Sequence, residues 1–85
     1  MSYKIVFANS VRKDIRKIPV SILKNIKSNI NELANFPNIS NFKRLSSCPF
    51  ADYRLRVGDY RILFDIDYMN NEIIILKIGH RKDVY

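Results

Sequence analysis

Hydrophobic residues recur along this chain with two periods: three to four residues apart in the first half, two apart in much of the second. Tyr3-Lys4-Ile5-Val6-Phe7 reads as a short opening strand, and Asn9 or Ser10 can cap the helix after it. Val11, Ile15 and Ile18 fall on one side of that helix, which leaves Arg12, Lys13, Arg16 and Lys17 mostly on the wet side. Pro19 divides it from a second helix in which Leu23, Ile26, Ile30 and Leu33 keep the same rhythm until Asn35 and Pro37 end it. Residues 38–41 read as loop, Phe42-Lys43-Arg44-Leu45 as a short strand, and Ser46-Ser47-Cys48-Pro49 as a turn-rich connection.

The period then changes to that of strands. Tyr53-Arg54-Leu55-Arg56-Val57 and Tyr60-Arg61-Ile62-Leu63-Phe64 flank Gly58-Asp59, a two-residue hairpin loop of the Gly-X kind. Such a loop pairs Val57 with Tyr60, Arg56 with Arg61, Leu55 with Ile62, Arg54 with Leu63 and Tyr53 with Phe64. Six apolar side chains then share one face, and Arg56 and Arg61 stand opposite each other on the other, with Arg54 two residues along. Like charges facing across a strand pair are destabilising. Their retention makes sense if a polyanion occupies that face, since the planar guanidinium fork suits phosphate; the alternative is a solvated face that is merely basic.

Glu72-Ile73-Ile74-Ile75-Leu76-Lys77-Ile78 is a nearly continuous apolar run, as expected of a central strand. The loop before it decides which way it faces. A two-residue Asn70-Asn71 turn would bury Lys77 beside Phe64, whereas a three-residue loop pairs Tyr68 with Glu72 and turns Lys77 and Arg81 toward the arginines. Burying an unpaired ammonium costs several kcal/mol, so the longer loop is expected. The order strand, helix, helix, then three or four strands predicts an α+β fold: an N-terminal strand and a helical hairpin packed on a mainly antiparallel, twisted sheet. The basic sheet face lies away from the helices. Residues 1–85 read as a single domain.

Composition sharpens this picture. Fifteen Lys and Arg against eight Asp and Glu leave a formal net charge of +7 on 85 residues, which favours polyphosphate, anionic surface or acidic protein partners. Membrane binding would need an apolar helix face free to insert, and here that face is required for the core. No run of about 18 apolar residues occurs and the first residues lack the apolar core of a signal peptide, so a cytosolic protein with no membrane contact is expected. Cys48 is the only cysteine and His80 the only histidine, which rules out an internal disulfide and a Cys/His metal site. Cys48 reads as a small loop residue beside Pro49.

Candidate chemistry gathers at the end. Gly79-His80-Arg81-Lys82-Asp83-Val84-Tyr85 brings a histidine, an arginine and a tyrosine together where the last strand leaves the sheet, at the expected rim of the basic face. Metal-free RNA cleavage needs a base for the 2′-hydroxyl proton, an acid for the leaving 5′-oxygen, and fixed positive charge for the crowded phosphate. His80 has the only unperturbed pKa near neutrality, although a strand-end histidine can equally be satisfied by a neighbour. Gly-rich phosphate loops, nucleophile elbows, carboxylate pairs in a plausible cleft and zinc ligand sets are all missing. Asp65 and Asp67 read as partners for Lys77 and as solubilising charges.

Residues 53–64 followed by Ile78-Gly79-His80-Arg81-Lys82-Asp83-Val84-Tyr85 resemble the RelE toxins of the RelE/ParE superfamily, and the likeness extends to Lys43-Arg44-Leu45 and the Pro-broken helical hairpin. The resemblance implies a toxin of a type II toxin–antitoxin pair. It would be a metal- and cofactor-independent endoribonuclease that cuts mRNA in the ribosomal A site by 2′-hydroxyl attack, inhibiting translation. An acidic RelB-like antitoxin would neutralise it, with operator DNA as a candidate ligand of the complex. On this resemblance Arg61 stabilises the scissile phosphate, Arg81 does the same or protonates the leaving oxygen, and Tyr85 stacks on a base or assists proton transfer. His80 matches a histidine used for proton transfer in other branches. Lys43, Arg44, Arg54, Arg56, Lys77 and Lys82 would bind RNA phosphates. Arg54 and Arg56 fall where the best-studied member carries lysines, and a guanidinium is a poor base, so a lysine-like base role does not carry over. The alternative within the superfamily is a ParE-like toxin that poisons DNA gyrase without cutting RNA; retention of Arg61, His80, Arg81 and Tyr85 favours the nuclease.

Overall fold

A computed structural model describes residues 3–84. Five strands and two helices follow in the order β1 (Lys4–Phe7), α1 (Val11–Arg16), α2 (Val20–Glu32), β2 (Phe42–Arg44), β3 (Tyr53–Val57), β4 (Tyr60–Asp67) and β5 (Glu72–His80), with a 3₁₀ turn at Leu33–Asn35. The strands form one sheet in the order β1-β5-β4-β3-β2, parallel only between β1 and β5. This is the expected α+β fold. Ile26, Ile30 and Leu33 from the helical hairpin and Leu55, Ile62, Phe64, Ile73, Ile75 and Ile78 from the sheet are buried together in the main core. Arg12, Lys13, Arg16 and Lys17 are at least partly exposed, as the helical period predicts.

Ser10 does stand at the N-cap of α1, but its hydroxyl makes no capping bond. It donates instead to the Leu76 carbonyl at 3.0 Å, and one turn later Asp14 accepts the Ile78 amide at 3.0 Å. The reason lies in the length of β1. Its pairing with β5 ends at Phe7–Ile75, where Ala8 N–H still reaches the Ile75 carbonyl at 2.9 Å. Beyond that point the β5 backbone would present unpaired groups, which are costly once shielded from water, and the side chains of α1 take over the role of the missing strand.

The hairpin register is the one the two-residue loop dictates, from Val57–Tyr60 through Arg56–Arg61 to Tyr53–Phe64, with Gly58 at φ +57°, a conformation that costs glycine little. The next connection differs from expectation. Asp67, not Tyr68, pairs with Glu72, so the loop holds four residues, Tyr68–Asn71. The Asp67 carboxylate organises it by accepting the Met69 and Asn70 amides and the Asn70 side-chain amide. Those hydrogen bonds, the Asn70 side chain first, hold its pKa below the usual aspartate value. Asn71 closes the turn at φ +53°. Left uncorrected, this register would carry Lys77 to the helix side. A bulge between Leu63–Lys77 and Phe64–Ile75 inserts Leu76 as an extra residue and restores the phase. Lys77 is therefore exposed on the face away from the helices, as anticipated, by a different route.

Candidate phosphate-binding face and active site

Two rows of residues cross the sheet on the side away from the helices. Lys43, Arg54, Leu63 and Lys77 are successive partners from β2 to β5, and Arg56, Arg61 and Gly79 form the next row toward the hairpin turn. The face is therefore basic, though not uniformly polar. Ala51, Leu63 and Val84 are buried in a second, smaller core there, with Leu45, Cys48 and Leu76 packed against it. Cys48 is thus a half-buried thiol at the edge of an apolar cluster. Loop 45–52 and the tail 81–84 both fold onto this side, where Ala51 and Val84 join Leu63 in that cluster.

Arg61 is the one charged side chain buried among the described residues, at 8% exposure. Its Nη1 donates to the Gly58 carbonyl at 2.8 Å and to the Tyr60 carbonyl at 2.9 Å. Anchoring on these carbonyls offsets the repulsion from Arg56, which stands directly opposite and is exposed. The result is a cation held at a set position by the hairpin that carries it. Arg54 is half-buried, and its Nε is shielded from solvent with no hydrogen-bond partner among the described residues. A buried donor in that state costs on the order of 1–3 kcal/mol.

Arg81 continues the ladder one rung beyond β5, its amide donating to the Asp59 carbonyl at 2.8 Å. Its Nε lies 3.8 Å from the Asp59 carboxylate, an exposed pair that orients more than it stabilises. Asp59, which the sequence reading treats only as a turn residue, thus holds an arginine at the end of the cluster. A lone acidic residue after Gly58 in an otherwise basic hairpin is the signal that points to it.

The remaining candidates separate. Lys43, Arg54, Arg56, Arg61 and Lys77 share the face away from the helices. Arg44 pairs with Tyr53 on the other side, its guanidinium carbon 6.0 Å from that ring's centroid. Lys82 lies on the exposed turn after β5, where its amide donates to His80 Nδ1 at 3.2 Å. His80 is expected at the rim of the basic face, and the structure corrects that. It pairs with Tyr60, so strand alternation turns it toward the helices, and its ring meets Tyr60 edge-on at 5.5 Å. There it lines two clefts, of about 290 and 370 Å³, with Asp14, Lys17 and Asp83 in one and Ser21 and Asn25 in the other. Tyr85 lies outside the described residues. The segment leading to it is held by Asp83 and Val84 amides on the His80 carbonyl, and by Val84 seated against Gly79, where an added Cβ would stand 3.4 Å from that of Val84. Asp65 accepts the Asp52 amide, and Asp67 organises its turn, so no ion pair of either with Lys77 is present among the described residues.

Among the described residues no cluster of His, Cys, Asp and Glu could hold a metal ion, and no helix is long and apolar enough to cross a membrane.

The fold recurs in known proteins. A family model described as the ParE toxin of the type II toxin–antitoxin system parDE matches residues 5–85. Toxin RelE3 of Methanocaldococcus jannaschii is 33% identical over 96% of this chain and 94% of its own. Toxin RelG of Mycobacterium tuberculosis is 30% identical over 100% of this chain and 98% of its own. Among solved structures, the RelBE2 toxin–antitoxin complex from Mycobacterium tuberculosis superposes with a TM-score of 0.83 at 28% identity, covering 95% of this chain and 100% of that one. The RelB–RelE antitoxin–toxin complex from Methanococcus jannaschii gives 0.73 at 31% identity, covering 91% of each. With its fold and its sequence both shared with these proteins over nearly the full length, the chain belongs to the RelE toxins of the RelE/ParE superfamily, the toxins of type II toxin–antitoxin systems.

Proposed function

We propose that this chain is a ribosome-dependent mRNA endonuclease that inhibits translation and works without a metal. The observation that carries the reading is the row geometry of the basic face: Arg54, Arg56 and Arg61 come from paired strands onto one surface, with Lys43 and Lys77 beside them. In the reaction the 2′-oxygen attacks the adjacent phosphorus, the bond to the 5′-oxygen breaks, and a cyclic phosphate and a free 5′-hydroxyl result. Negative charge accumulates on the phosphate oxygens, and preorganised cations stabilise it most when they need not reorganise. Arg61 is anchored in that manner by the turn carbonyls, and Arg81 is restrained beside the turn by Asp59. Arg54 adds a half-buried cation from the paired strand. Arg56, Lys43 and Lys77 supply further phosphate contacts; Arg44 and Lys82 would meet RNA only at the margins of the face. Proton transfer falls to Tyr85, because His80 faces the helix side beside Tyr60, away from the arginines.

The partner that fits this surface is an acidic, RelB-like antitoxin that covers it and folds as it binds; the two similar solved structures are themselves toxin–antitoxin complexes. The second reading, a ParE-like toxin acting on DNA gyrase, is favoured by the description of the matching family model. Incubation with translating ribosomes separates the two. Truncated message, with naked RNA cut poorly because the ribosome orients the substrate, is expected. Intact message together with trapped gyrase–DNA complexes would overturn the nuclease reading.

A further inference from the structure

Loop 45–52 holds four apolar residues besides Pro49, and their burial runs against size. Ala51 is 4% exposed, Leu45 and Cys48 are half-buried in the second core, and Phe50 is 65% exposed. Hydrophobic burial alone favours the opposite order, since a phenylalanine gains several times what an alanine gains. The loop is not slack: its ends are pinned by Leu45 N–H on the Asp52 carbonyl at 2.7 Å and Asp52 N–H on the Asp65 carboxylate at 2.6 Å. The ring is thus held out by a loop that is itself anchored. Beside it opens a cleft of about 400 Å³ whose walls include Lys43, Arg44, Ser46, Ser47 and Phe50. The cleft continues the proposed phosphate face, because Lys43 is the direct cross-strand partner of Arg54.

We propose that Phe50 and this cleft form a nucleobase-docking subsite, in which one unpaired base of the RNA stacks on the Phe50 ring while Lys43 meets a flanking phosphate. The inference rests on the nuclease reading and deepens it. An exposed aromatic flanked by cations is the arrangement that binds single-stranded nucleic acid with little regard to sequence, because every base offers a π face and every linkage a charge. Serine hydroxyls in the cleft wall add adaptable hydrogen bonding to a base edge. The subsite lies outside the set of arginines that would act on the scissile linkage, so it holds a neighbouring nucleotide and affects binding of the strand more than the chemical step.

The chain contains no tryptophan, so Phe50→Trp introduces a single reporter at the site. The probe is a short 2′-O-methyl RNA, which cannot be cleaved through its 2′-oxygen, titrated into the full-length protein at low salt. We expect the oligonucleotide to quench the emission of the introduced indole on binding, and Phe50→Trp to bind as tightly as wild type. Phe50→Ala should bind roughly five- to a hundred-fold more weakly with its urea midpoint unchanged, since the ring buries little. Arg54→Gln serves as the control for the basic face. If Arg54→Gln weakens binding and Phe50→Ala does not, the subsite is wrong and the face stands. If the wild type fails to bind the oligonucleotide, the subsite falls, while message truncation on translating ribosomes judges the nuclease reading separately. If Phe50→Ala leaves RNA binding intact and weakens association with the antitoxin, the ring is a protein contact and the subsite is overturned.

Discussion

Arg61 shows how one residue can serve the fold and the proposed chemistry with the same bonds. Its contacts to the carbonyls of Gly58 and Tyr60 fasten the hairpin turn and, in doing so, help set where the guanidinium stands. Replacement should therefore have two separable effects. Arg61→Ala is expected to lower ribosome-dependent cleavage by about a hundred-fold or more, the scale of losing a preorganised donor. It should cost only on the order of 1 kcal/mol of stability, because the released turn carbonyls can turn to water and Arg56 loses a like-charged neighbour. Measuring mRNA truncation beside the urea midpoint tests the pair; full toxicity at reduced stability would remove Arg61 from the active site. The sequence made this residue conspicuous through its place opposite Arg56. Its anchoring was not legible, because the turn carbonyls that receive it are defined only once the chain reverses at Gly58.

At the scale of elements, the informative junction is that of β1, α1 and β5. A four-residue β1 cannot cover a nine-residue β5, and α1 compensates with side chains rather than with backbone. Asp14 supplies the acceptor for Ile78 N–H at a part-buried position. Asp14→Ala is expected to destabilise the protein by roughly 1–3 kcal/mol, the cost of an orphaned donor, visible as a lower urea midpoint with an unchanged slope. Asp14→Asn, which keeps an acceptor, should recover most of the loss, and equal losses in both variants would mean that the bond to β5 is not what Asp14 contributes. Helical periodicity marked α1 and α2 clearly, because Val11, Ile26, Ile30 and Leu33 had to face the core. The same periodicity is silent about a hydrophilic Asp14, which reads as one more wet position until a strand edge is placed beside it.

For the whole molecule, the arrangement divides labour between two faces. The helices cover one side of the sheet and complete the main core, and the other side keeps its cations around a small apolar patch made from loop 45–52, Leu63 and Val84. With a net charge of +7, association with an acidic antitoxin should depend on ionic strength. We expect its dissociation constant to rise by roughly tenfold or more between about 0.1 and 1 M salt, mostly through slower association. An affinity indifferent to salt, measured by titration calorimetry or surface binding, would show that apolar contacts and not charge govern the complex.

Alternation along β3 and β4, the Gly58-Asp59 turn and the helical repeat were enough to determine the element order, the hairpin register and the gathering of Arg54, Arg56 and Arg61 on one face, because each of these follows from local geometry with a period of two or 3.6. What tertiary structure alone decided is where separate segments meet. The four-residue loop at Tyr68–Asn71 and the bulge at Leu76 cancel each other, so the sequence reading reached the right phase for Lys77 through the wrong loop. His80 faces the helix side because β5 stays paired as far as Tyr60–His80, so strand alternation governs its last residue instead of releasing it at the rim. The second core, and with it the outward position of Phe50, arises from contacts among loop 45–52, β4 and the tail. Such contacts between residues distant in sequence leave no period for a sequence to display.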